Sequence, residues 1–214
     1  MQTFLEEAKR TSRTIANLST AVKNKVLNDM ADALMHHCDF IIEHNQKDMS
    51  NAILNNLDDA LLDRLLLTGD RVQGMSDAIR QIASQMEPVG RILDGWVTKD
   101  GLNIQKVSIP IGVIGIIYES RPNVTSDTAA LCFKSGNVCV LKGGKEAEHS
   151  NKAIAVVLKE VLAKNKLPEQ AISLLPDSSR EGVAKLIKQD KFVDLIVPRG
   201  GEELIKYVSK NSSI

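Results

Sequence analysis

The sequence predicts an α/β protein in which an open parallel β-sheet with helices on both faces follows a helical segment and a β-hairpin arm. From residue 111 onward, apolar runs alternate strictly with amphipathic helical stretches, a pattern typical of parallel strands joined by helices. Before residue 88, apolar residues recur at helical spacing. We therefore expect a helical part at 1–87, a hairpin at 88–110 and an α/β part at 111–214.

Two apolar stripes define helices in the first part. Residues three and four positions apart share one helix face, and the stripes are Val22, Val26, Leu27, Met30, Ala31 and Leu34, then Val72, Met75, Ile79 and Ile82. Polar residues that can accept hydrogen bonds from unpaired first-turn amides precede the helices. We expect Ser19 or Thr20 to cap the first helix. We also expect Asp58 to cap a short Leu-rich helix through Leu67, and Thr68 to cap the next.

A hairpin is predicted in the segment GRILDGWVTKDGLNIQKVSIP, which has two β-prone runs on either side of Asp100-Gly101. An Asp-Gly pair supplies the positive φ angles that a tight turn needs, so the two runs should pair as antiparallel strands. By itself this pattern is that of a surface hairpin.

The strands and helices of the last part follow one another along the chain. Gly136 should end the first helix, which Thr125 or Ser126 should cap, and Pro168 should bar continuation of the second. An S-x-x-E capping box from Ser178 to Glu181 should open the third helix. A turn at 198–201 leads into the last helix, and the predicted strands are 111–118, 138–141, 171–175 and 192–197.

Polar turns follow the first two strands, at 119–123 and 142–145. Because ligands of parallel sheets bind outside the carboxyl ends of the strands, these turns have the layout of a nucleotide site. The common nucleotide signatures are nevertheless missing. Cys139 stands where a P-loop needs its first glycine, Glu146 follows Lys145 instead of Ser or Thr, and no predicted strand is followed by G-x-G-x-x-G.

The composition of the chain argues against several classes of binding partner. Lys plus Arg equals Asp plus Glu at 27 each, so there is no basic excess that would indicate nucleic acid or an anionic membrane. Cys38, Cys132 and Cys139 form no C-x-x-C pair, which is typical of reduced thiols in a cytoplasmic protein and predicts no metal site. No stretch approaches the roughly 18 apolar residues of a membrane span. We expect a cytoplasmic protein.

Three motifs, YESRPNVT at 118–125, a K-S-G-N spacer and LKGGKEA at 141–147, resemble the γ-glutamyl phosphate reductase family of the aldehyde dehydrogenase superfamily. The resemblance spans nearly all of the chain but about the first half of the family's length. It implies a Rossmann-like sheet of the aldehyde dehydrogenase type. It further implies NADPH-dependent reduction of L-glutamyl 5-phosphate to L-glutamate 5-semialdehyde and phosphate, a step of proline biosynthesis. In that superfamily the hairpin is an arm between subunits, so a homo-oligomer is expected rather than a monomer with a surface hairpin.

The resemblance also implies where the dinucleotide lies. The superfamily binds it without the glycine fingerprint, placing a strand-end lysine on the adenosine ribose and a later helix N-terminus on the pyrophosphate. Lys142 and the Gly200-Gly201 turn match these positions. Glycines let backbone amides approach a phosphate, although Gly143-Gly144 alone could be a plain turn.

Cofactor choice depends on the residue three places after the strand-end lysine. Relatives that prefer NAD often carry a carboxylate there to accept the ribose hydroxyls, whereas this chain has Lys145. A cation tolerates a 2′-phosphate, so NADP is the expected cofactor.

The turn at 119–123 resembles the superfamily's loop between cofactor and reacting carbonyl. Asn123 is its only asparagine and would donate to the oxyanion, although it could instead bond its own backbone as a turn residue. Arg121 could hold the acyl phosphate of the substrate in a bidentate contact. A salt bridge to Glu119 is the alternative for this arginine.

The nucleophile is the missing element. The family forms a thioester on a cysteine, but the three cysteines lie in predicted helices or in a buried strand, where burial raises a thiol pKa. We therefore expect the catalytic domain to lie outside these 214 residues, and the 214 residues alone to be inactive. Two alternatives are a reductase domain within a bifunctional kinase-reductase, against which Met1 before the first helix argues, and a non-catalytic nucleotide-binding or oligomerisation module.

Overall fold

A computed structural model describes residues 2–177 and 179–214. Within these residues the helices are α1 (Gln2–Ala16), α2 (Thr20–His36), α3 (Cys38–Leu54), α4 (Asp59–Leu65), α5 (Gly69–Ser84), α6 (Asn123–Lys134), α7 (Glu148–Lys164), α8 (Arg180–Leu186) and α9 (Glu202–Asn211). The strands are β1 (Ile92–Val97), β2 (Asn103–Val107), β3 (Val113–Tyr118), β4 (Val138–Lys142), β5 (Ile172–Leu174) and β6 (Leu195–Arg199). This α/β architecture confirms the predicted fold class.

The predicted helix starts in the first part are confirmed. Ser19, Asp58 and Thr68 precede α2, α4 and α5, and each side chain accepts a hydrogen bond from the backbone amide three residues later. Both apolar stripes are buried except Val22, which is 40% exposed. The Leu-rich helix α4 ends at Leu65, two residues earlier than expected.

The parallel sheet has the strand order β5-β4-β3-β6. Right-handed crossovers through α6 and α7 lead in one direction from β3, and the connection through α8 returns to the other side of β3, so α8 covers the opposite face. The strand order thus reverses between β3 and β6, where Tyr118 pairs with Arg199. This edge is the switch point at which open α/β sheets bind ligands.

The helical part shares its core with the sheet. Helix α1 packs directly against β3 and β4, while α2, α3 and α5 pack on the outer surfaces of α6 and α7. Buried side chains from all of these elements belong to one hydrophobic cluster. The boundary near Pro88 therefore marks a change in the sequence pattern. Among the described residues it does not separate two hydrophobic cores.

Two buried lysines tie α2 and α5 to the carboxyl end of α6. The Nζ of Lys23 pairs with Glu87 and donates to the carbonyl of Lys134 at 3.1 Å. The Nζ of Lys134 donates to Asn24 Oδ1 at 2.6 Å and to the Ala83 carbonyl at 2.9 Å. Burial lowers the pKa of Lys134. Cations at a helix carboxyl end are favoured because unpaired carbonyls gather there.

Helix α3 contributes a buried cap to α7. The carboxylate of Asp48 accepts hydrogen bonds from the backbone amides of His149 at 3.1 Å and Ser150 at 2.7 Å, and from the Ser150 hydroxyl at 2.6 Å. Beside it, the amide of Asn45 donates to Ser150 Oγ at 3.0 Å and to the Leu65 carbonyl at 2.8 Å. The amino end of α7 is therefore satisfied by a side chain from the helical part.

One expectation about helix caps was wrong, and a second concerns a residue outside those that the structure describes. Helix α6 begins at Asn123, with the preceding Pro122 already in helical conformation, so Thr125 and Ser126 lie inside its first turn and do not cap it. The Thr125 hydroxyl joins a buried side-chain network instead. In the third helix, Ser178 lies outside the described residues, and it is Ser179 whose hydroxyl accepts from the Gly182 amide at 3.1 Å.

Strand boundaries also differ from expectation. Strand β3 begins at Val113, because Gly112 has a φ of 127°, a conformation that breaks the extended run. Strand β6 spans 195–199 rather than 192–197, because 189–193 form a turn after α8. Strand β5 spans only the three residues 172–174 of the predicted five.

The hairpin forms as predicted but with a longer loop. Thr98 and Leu102 close the loop through a backbone hydrogen bond of 2.9 Å, and Gly101 takes a φ of 82° while Asp100 does not have a positive φ. A single left-handed glycine after a type I turn is a common three-residue solution. The side chains of β1 are exposed along the whole strand, and Trp96 is 51% exposed.

Two kinds of feature are missing from the parts of the chain that the structure describes. None of their helices combines the length and apolar character needed to cross a membrane. Nor do these parts contain a cluster of three or more His, Cys, Asp or Glu residues that could hold a metal ion.

We expect Asp48→Ala to lower the free energy of unfolding by about 1–3 kcal/mol, since two buried amides at the amino end of α7 lose their acceptor. Urea denaturation followed by circular dichroism measures this change. The control is Glu43→Gln on the same helix, an exposed residue paired with Lys47, for which we expect about 0.5 kcal/mol or less. Equal effects of the two substitutions would contradict the assigned cap.

Candidate cofactor and substrate site

A crevice opens at the switch point, between the carboxyl ends of β3 and β6. Its volume is about 380 Å³, and α4 closes one side. The crevice brings together two turns that the sequence analysis selected separately, 119–123 and 199–201. Its lining includes Arg64, Tyr118, Glu119, Arg121, Arg199, Gly200 and Gly201.

The amino end of α9 already binds a carboxylate. The Gly201 amide lies 3.2 Å from both carboxylate oxygens of Glu119. A Cβ at Gly200 would lie 2.6 Å from Glu119 Cδ, so a side chain there would displace this carboxylate. The predicted pyrophosphate seat thus has the geometry and the charge preference of an anion site. The pyrophosphate role of this turn stays a prediction, and it requires Glu119 to leave the Gly201 amide.

Lys142 ends β4 next to Ile117 of β3, at the same sheet edge. Its side chain is half-buried, and burial lowers the pKa of its amine, while the carboxylates of Glu146 and Asp177 favour the charged form. The lysine ammonium offers three hydrogen-bond donors at this strand end, and its contact with a ribose stays a prediction.

The 3₁₀ turn after β4 contains a carboxylate that the sequence analysis did not select. Lys145 is exposed, as its predicted contact with a 2′-phosphate requires. The next side chain, Glu146, folds back over Gly144 and accepts from the Ser120 hydroxyl at 3.0 Å. A carboxylate therefore does lie near Lys142, but it is bonded to the β3 turn. Sequence spacing could not show this, because the partner is 26 residues away.

Gly143 is required by packing. A Cβ at this position would lie 2.2 Å from Asn151 Nδ2 and 3.1 Å from the Tyr118 ring. Both neighbours are held in a buried network, in which the Tyr118 hydroxyl and Thr125 Oγ1 lie 2.7 Å apart and Thr125 donates to Asn151 at 2.9 Å. The glycine thus lets β4 and α7 approach β3, whatever the loop binds.

A larger cavity of about 570 Å³ lies between α4, α5 and the start of α6. Arg64 and Arg121 line both cavities. Within residues 2–177 and 179–214, neither arginine has a carboxylate within 4 Å. The alternative role of Arg121, a salt bridge to Glu119, is therefore not what the structure contains. This leaves the Arg121 guanidinium available to a ligand.

Asn123 is the first residue of α6 and lines the larger cavity. Its amide donates to Asp127 Oδ2 at 2.9 Å, rather than to its own backbone. Burial raises the pKa of Asp127, and the Asn123 amide and the positive charge of Arg199 partly offset this rise. The oxyanion role of Asn123 stays a prediction, and it requires this amide to leave Asp127.

The three cysteines lie away from both cavities. Cys132 and Cys139 are buried, and a hydrogen bond with Cys132 together with burial raises the pKa of Cys139 well above the ordinary value. Burial and the neighbouring Asp39 raise the pKa of Cys38. A raised thiol pKa disfavours the nucleophilic thiolate of Cys38 and Cys139, and Cys132 is enclosed in the core, so none of the three has the setting of a catalytic nucleophile.

We expect Gly143→Ala to destabilise the protein by about 1–3 kcal/mol, because the new methyl group overpacks a well-filled site. Thermal denaturation measures the shift. Gly69→Ala at the start of α5 is the matched control, since a Cβ there meets nothing within 4 Å. We expect no loss of stability in this control. A Gly143→Ala protein as stable as the control would show that the packing is loose.

The chain is similar to known proteins along its whole length. It is 79% identical over 214 residues to a protein of Aliarcobacter butzleri named gamma-glutamyl phosphate reductase, and 67% identical to one of the same name from Sulfurovum sp.. In both cases all of this chain aligns with 52% of the relative. The chain therefore spans about half the length of these curated relatives.

Solved structures show the same relation. The crystal structure of gamma-glutamyl phosphate reductase from Thermotoga maritima matches with a TM-score of 0.97 at 36% identity, over 100% of this chain and 51% of that one. The enzyme of that name from Saccharomyces cerevisiae matches with a TM-score of 0.91 at 32% identity, over 100% and 54%. Residues 1–213 match the aldehyde dehydrogenase family. The resemblance drawn from the motifs is thereby confirmed, and the chain belongs to the aldehyde dehydrogenase family.

Proposed function

We propose that the protein acts in the NADPH-dependent reduction of L-glutamyl 5-phosphate to L-glutamate 5-semialdehyde and phosphate, a step of proline biosynthesis. The observation that carries this proposal is the switch-point crevice. It presents arginines that have no ion-pair partner among the described residues, and a helix end that holds a carboxylate, in a chain whose relatives bear the name of that reductase. The reaction consumes one acyl phosphate, one NADPH and one proton, and yields the aldehyde, phosphate and NADP⁺.

Family membership favours a nicotinamide cofactor, and the residues at the sheet edge fit one. Lys142 would hold the adenosine ribose, the amides of Gly143-Gly144 would approach the phosphates, and the Gly200-Gly201 turn would hold the pyrophosphate. When bound, the cofactor supplies a hydride. Exposed Lys145 supports NADP over NAD because it can pair with a 2′-phosphate, whereas the carboxylate of Glu146 is bonded to Ser120.

The substrate's acyl phosphate would bind Arg121, which borders both cavities and has no carboxylate partner in the described chain. A guanidinium offers two parallel hydrogen bonds to phosphate oxygens. The amide of Asn123 would turn from Asp127 towards the reacting carbonyl and stabilise its developing negative charge. The acyl group would then be transferred to a thiol.

We place that thiol outside the 214 residues, because the described cysteines are buried or have a raised pKa. The same proposal includes a cytoplasmic location, a homo-oligomer joined through the hairpin, and the absence of nucleic-acid or membrane partners. Support for the oligomer comes from the apolar side chains that the hairpin and its flanks expose, Ile92, Leu93, Trp96, Val97, Leu102 and Ile109.

The full-length protein, by which we mean these 214 residues joined to the catalytic domain proposed to lie outside them, should oxidise glutamate 5-semialdehyde in the presence of phosphate and NADP⁺. The reaction would be seen as a rise in reduced-nicotinamide absorbance. Lys142→Ala should raise the NADP⁺ dissociation constant about tenfold or more, about 1.4 kcal/mol, because the ribose loses a charged donor. Calorimetry measures the constant.

The control for this experiment is Lys152→Ala on α7, a lysine that pairs with Glu148 on the surface. It should leave the cofactor affinity unchanged. An unchanged affinity in Lys142→Ala would remove the ribose assignment, and a full-length protein without turnover would remove the proposed reaction.

The hairpin prediction concerns assembly. Trp96→Glu should lower the mass of the full-length protein in light scattering towards that of one chain, since a charge in an apolar interface is costly. Leu54→Glu serves as the control, because Leu54 is also an exposed apolar residue but lies at the end of α3. A wild-type monomer, or a Trp96→Glu protein of unchanged mass, would argue against the arm.

A further inference from the structure

The larger cavity contains a pattern of charges that the proposed reaction does not yet use. Resting on the function proposed above, we propose that this cavity binds the α-amino-acid head group of the substrate. Asp127 would accept hydrogen bonds from the ammonium group, and Arg64 would donate to the carboxylate. Arg121, which borders the crevice as well, would remain with the acyl phosphate.

The pairing of charges inside the cavity singles out these two residues. The lining carries the acids Asp63 and Asp127, and the bases Arg64, Arg71 and Arg121. Asp63 and Arg71 neutralise one another at 2.7 Å, and Arg71 also donates to the Leu66 carbonyl at 2.8 Å. In the part of the chain that the structure describes, no ion pair within 4 Å involves the other three. One acid and two bases are left for ligands.

Asp127 is a half-buried carboxylate whose partner among the described residues is the neutral amide of Asn123. The bond uses Oδ2, and Oδ1 has no hydrogen-bond donor within the described ranges. Burial raises the pKa of Asp127, and the Asn123 amide and the positive charge of Arg199 offset this rise only in part. Arg199 forms no ion pair with Asp127 within 4 Å among the described residues, and a partly desolvated carboxylate gains from a cation in direct contact with it. An ammonium group is a compact cation with three donors and fits this acceptor.

Arg64 reaches the cavity from the last turn of α4. This short helix is fixed at its start by the Asp58 cap and near its end by Asn45, which donates to the Leu65 carbonyl at 2.8 Å. The guanidinium therefore projects from a held backbone. Its fork of donors matches a carboxylate in geometry as well as in charge.

The shape of the site agrees with this assignment. A cavity of about 570 Å³ lies in the size range of small-molecule sites. Because Arg121 lines both cavities and Asn123 lines the larger one, a substrate bound there by its head group would direct its acyl end towards Arg121, where the two cavities adjoin. A zwitterionic head group would neutralise both residues, since its ammonium group pairs with Asp127 and its carboxylate pairs with Arg64. A simple aldehyde lacks both groups and gains nothing there.

The test uses three aldehydes with the full-length protein, phosphate and NADP⁺. These are glutamate 5-semialdehyde, 5-oxopentanoate, which lacks the amino group, and 4-aminobutanal, which lacks the carboxylate. For Asp127→Asn, the kcat/KM preference for the semialdehyde over 5-oxopentanoate should fall at least tenfold, and the preference over 4-aminobutanal should persist. For Arg64→Gln, the preference for the semialdehyde over 4-aminobutanal should fall at least tenfold, and the preference over 5-oxopentanoate should persist. Ratios between variants cancel the different tendencies of the aldehydes to cyclise.

Asp77→Asn provides a matched control. Asp77 accepts from the amide of Gln73 at 2.9 Å four residues earlier on α5, as Asp127 does from Asn123, but it is exposed and does not line the cavity. It should leave both preferences unchanged. Unchanged NADP⁺ affinity shows that each variant is folded. The Arg64 and Asp127 arms are read separately, so a misfolded variant at one position leaves the other as the test.

The outcomes separate this inference from the proposed reaction. One outcome is that the wild-type protein oxidises the semialdehyde while Asp127→Asn keeps the preference over 5-oxopentanoate and Arg64→Gln keeps the preference over 4-aminobutanal. In that case the head-group site is wrong and the reaction stands. If the wild-type protein oxidises none of the three aldehydes, the proposed reaction is wrong and the head-group site is wrong with it.

Discussion

The carboxylate of Asp48 at the amino end of α7 is the contact on which the site depends. The loop 143–147 connects β4 to α7, so its position follows from where that helix begins. Asp48 fixes this point from α3, through two backbone amides and the Ser150 hydroxyl. Since a protein carboxylate already occupies this helix end, the positive end of its dipole is not offered to a ligand. The helical part thereby sets the position of the loop 143–147.

The amino end of α9 is arranged differently. Glu119 also places a carboxylate on it, but Glu119 is exposed and is held by a single backbone amide. Asp48 is buried and accepts from three donors, so water cannot replace these hydrogen bonds. The two carboxylates therefore differ in how readily a ligand replaces them, because solvent compensates only the exposed one. The contrast supports α9 as the anion site of the crevice.

The two sides of the sheet edge meet different environments. Strands β3 and β4 are buried along nearly their whole length, whereas β6 alternates between exposed and half-buried residues, with Leu195 at 37% exposure. Strand β6 is also an edge strand, with unpaired backbone groups on its outer side. The crevice lies between a buried strand and a partly exposed edge strand. The curated relatives are about twice as long as this chain, and a neighbouring segment can cover such an edge.

Local chemistry explains what the sequence by itself determined. The caps at Ser19, Asp58 and Thr68 act within three residues, and apolar stripes reflect the period of their own helix, so both could be read directly. Alternation of strands and helices predicted the parallel sheet, and the ends of its first two strands selected the turns 119–123 and 142–145. The roles of Lys142 and of the Gly200-Gly201 turn were implied by the resemblance to the superfamily. Helix α6 was misplaced at its start because Pro122 offers no side-chain cap to recognise.

Only the tertiary structure decided which side chains face one another across the site. Asp48 caps a helix 101 residues away, Glu146 meets Ser120 from another turn, and Arg64 lines the same cavity as Asp127 from a different helix. Each of these contacts depends on how helices pack on the sheet, and packing follows from the burial of many apolar side chains together. No short pattern in the chain contains that information, so residue spacing predicts the edge of the site but not its charge pairing.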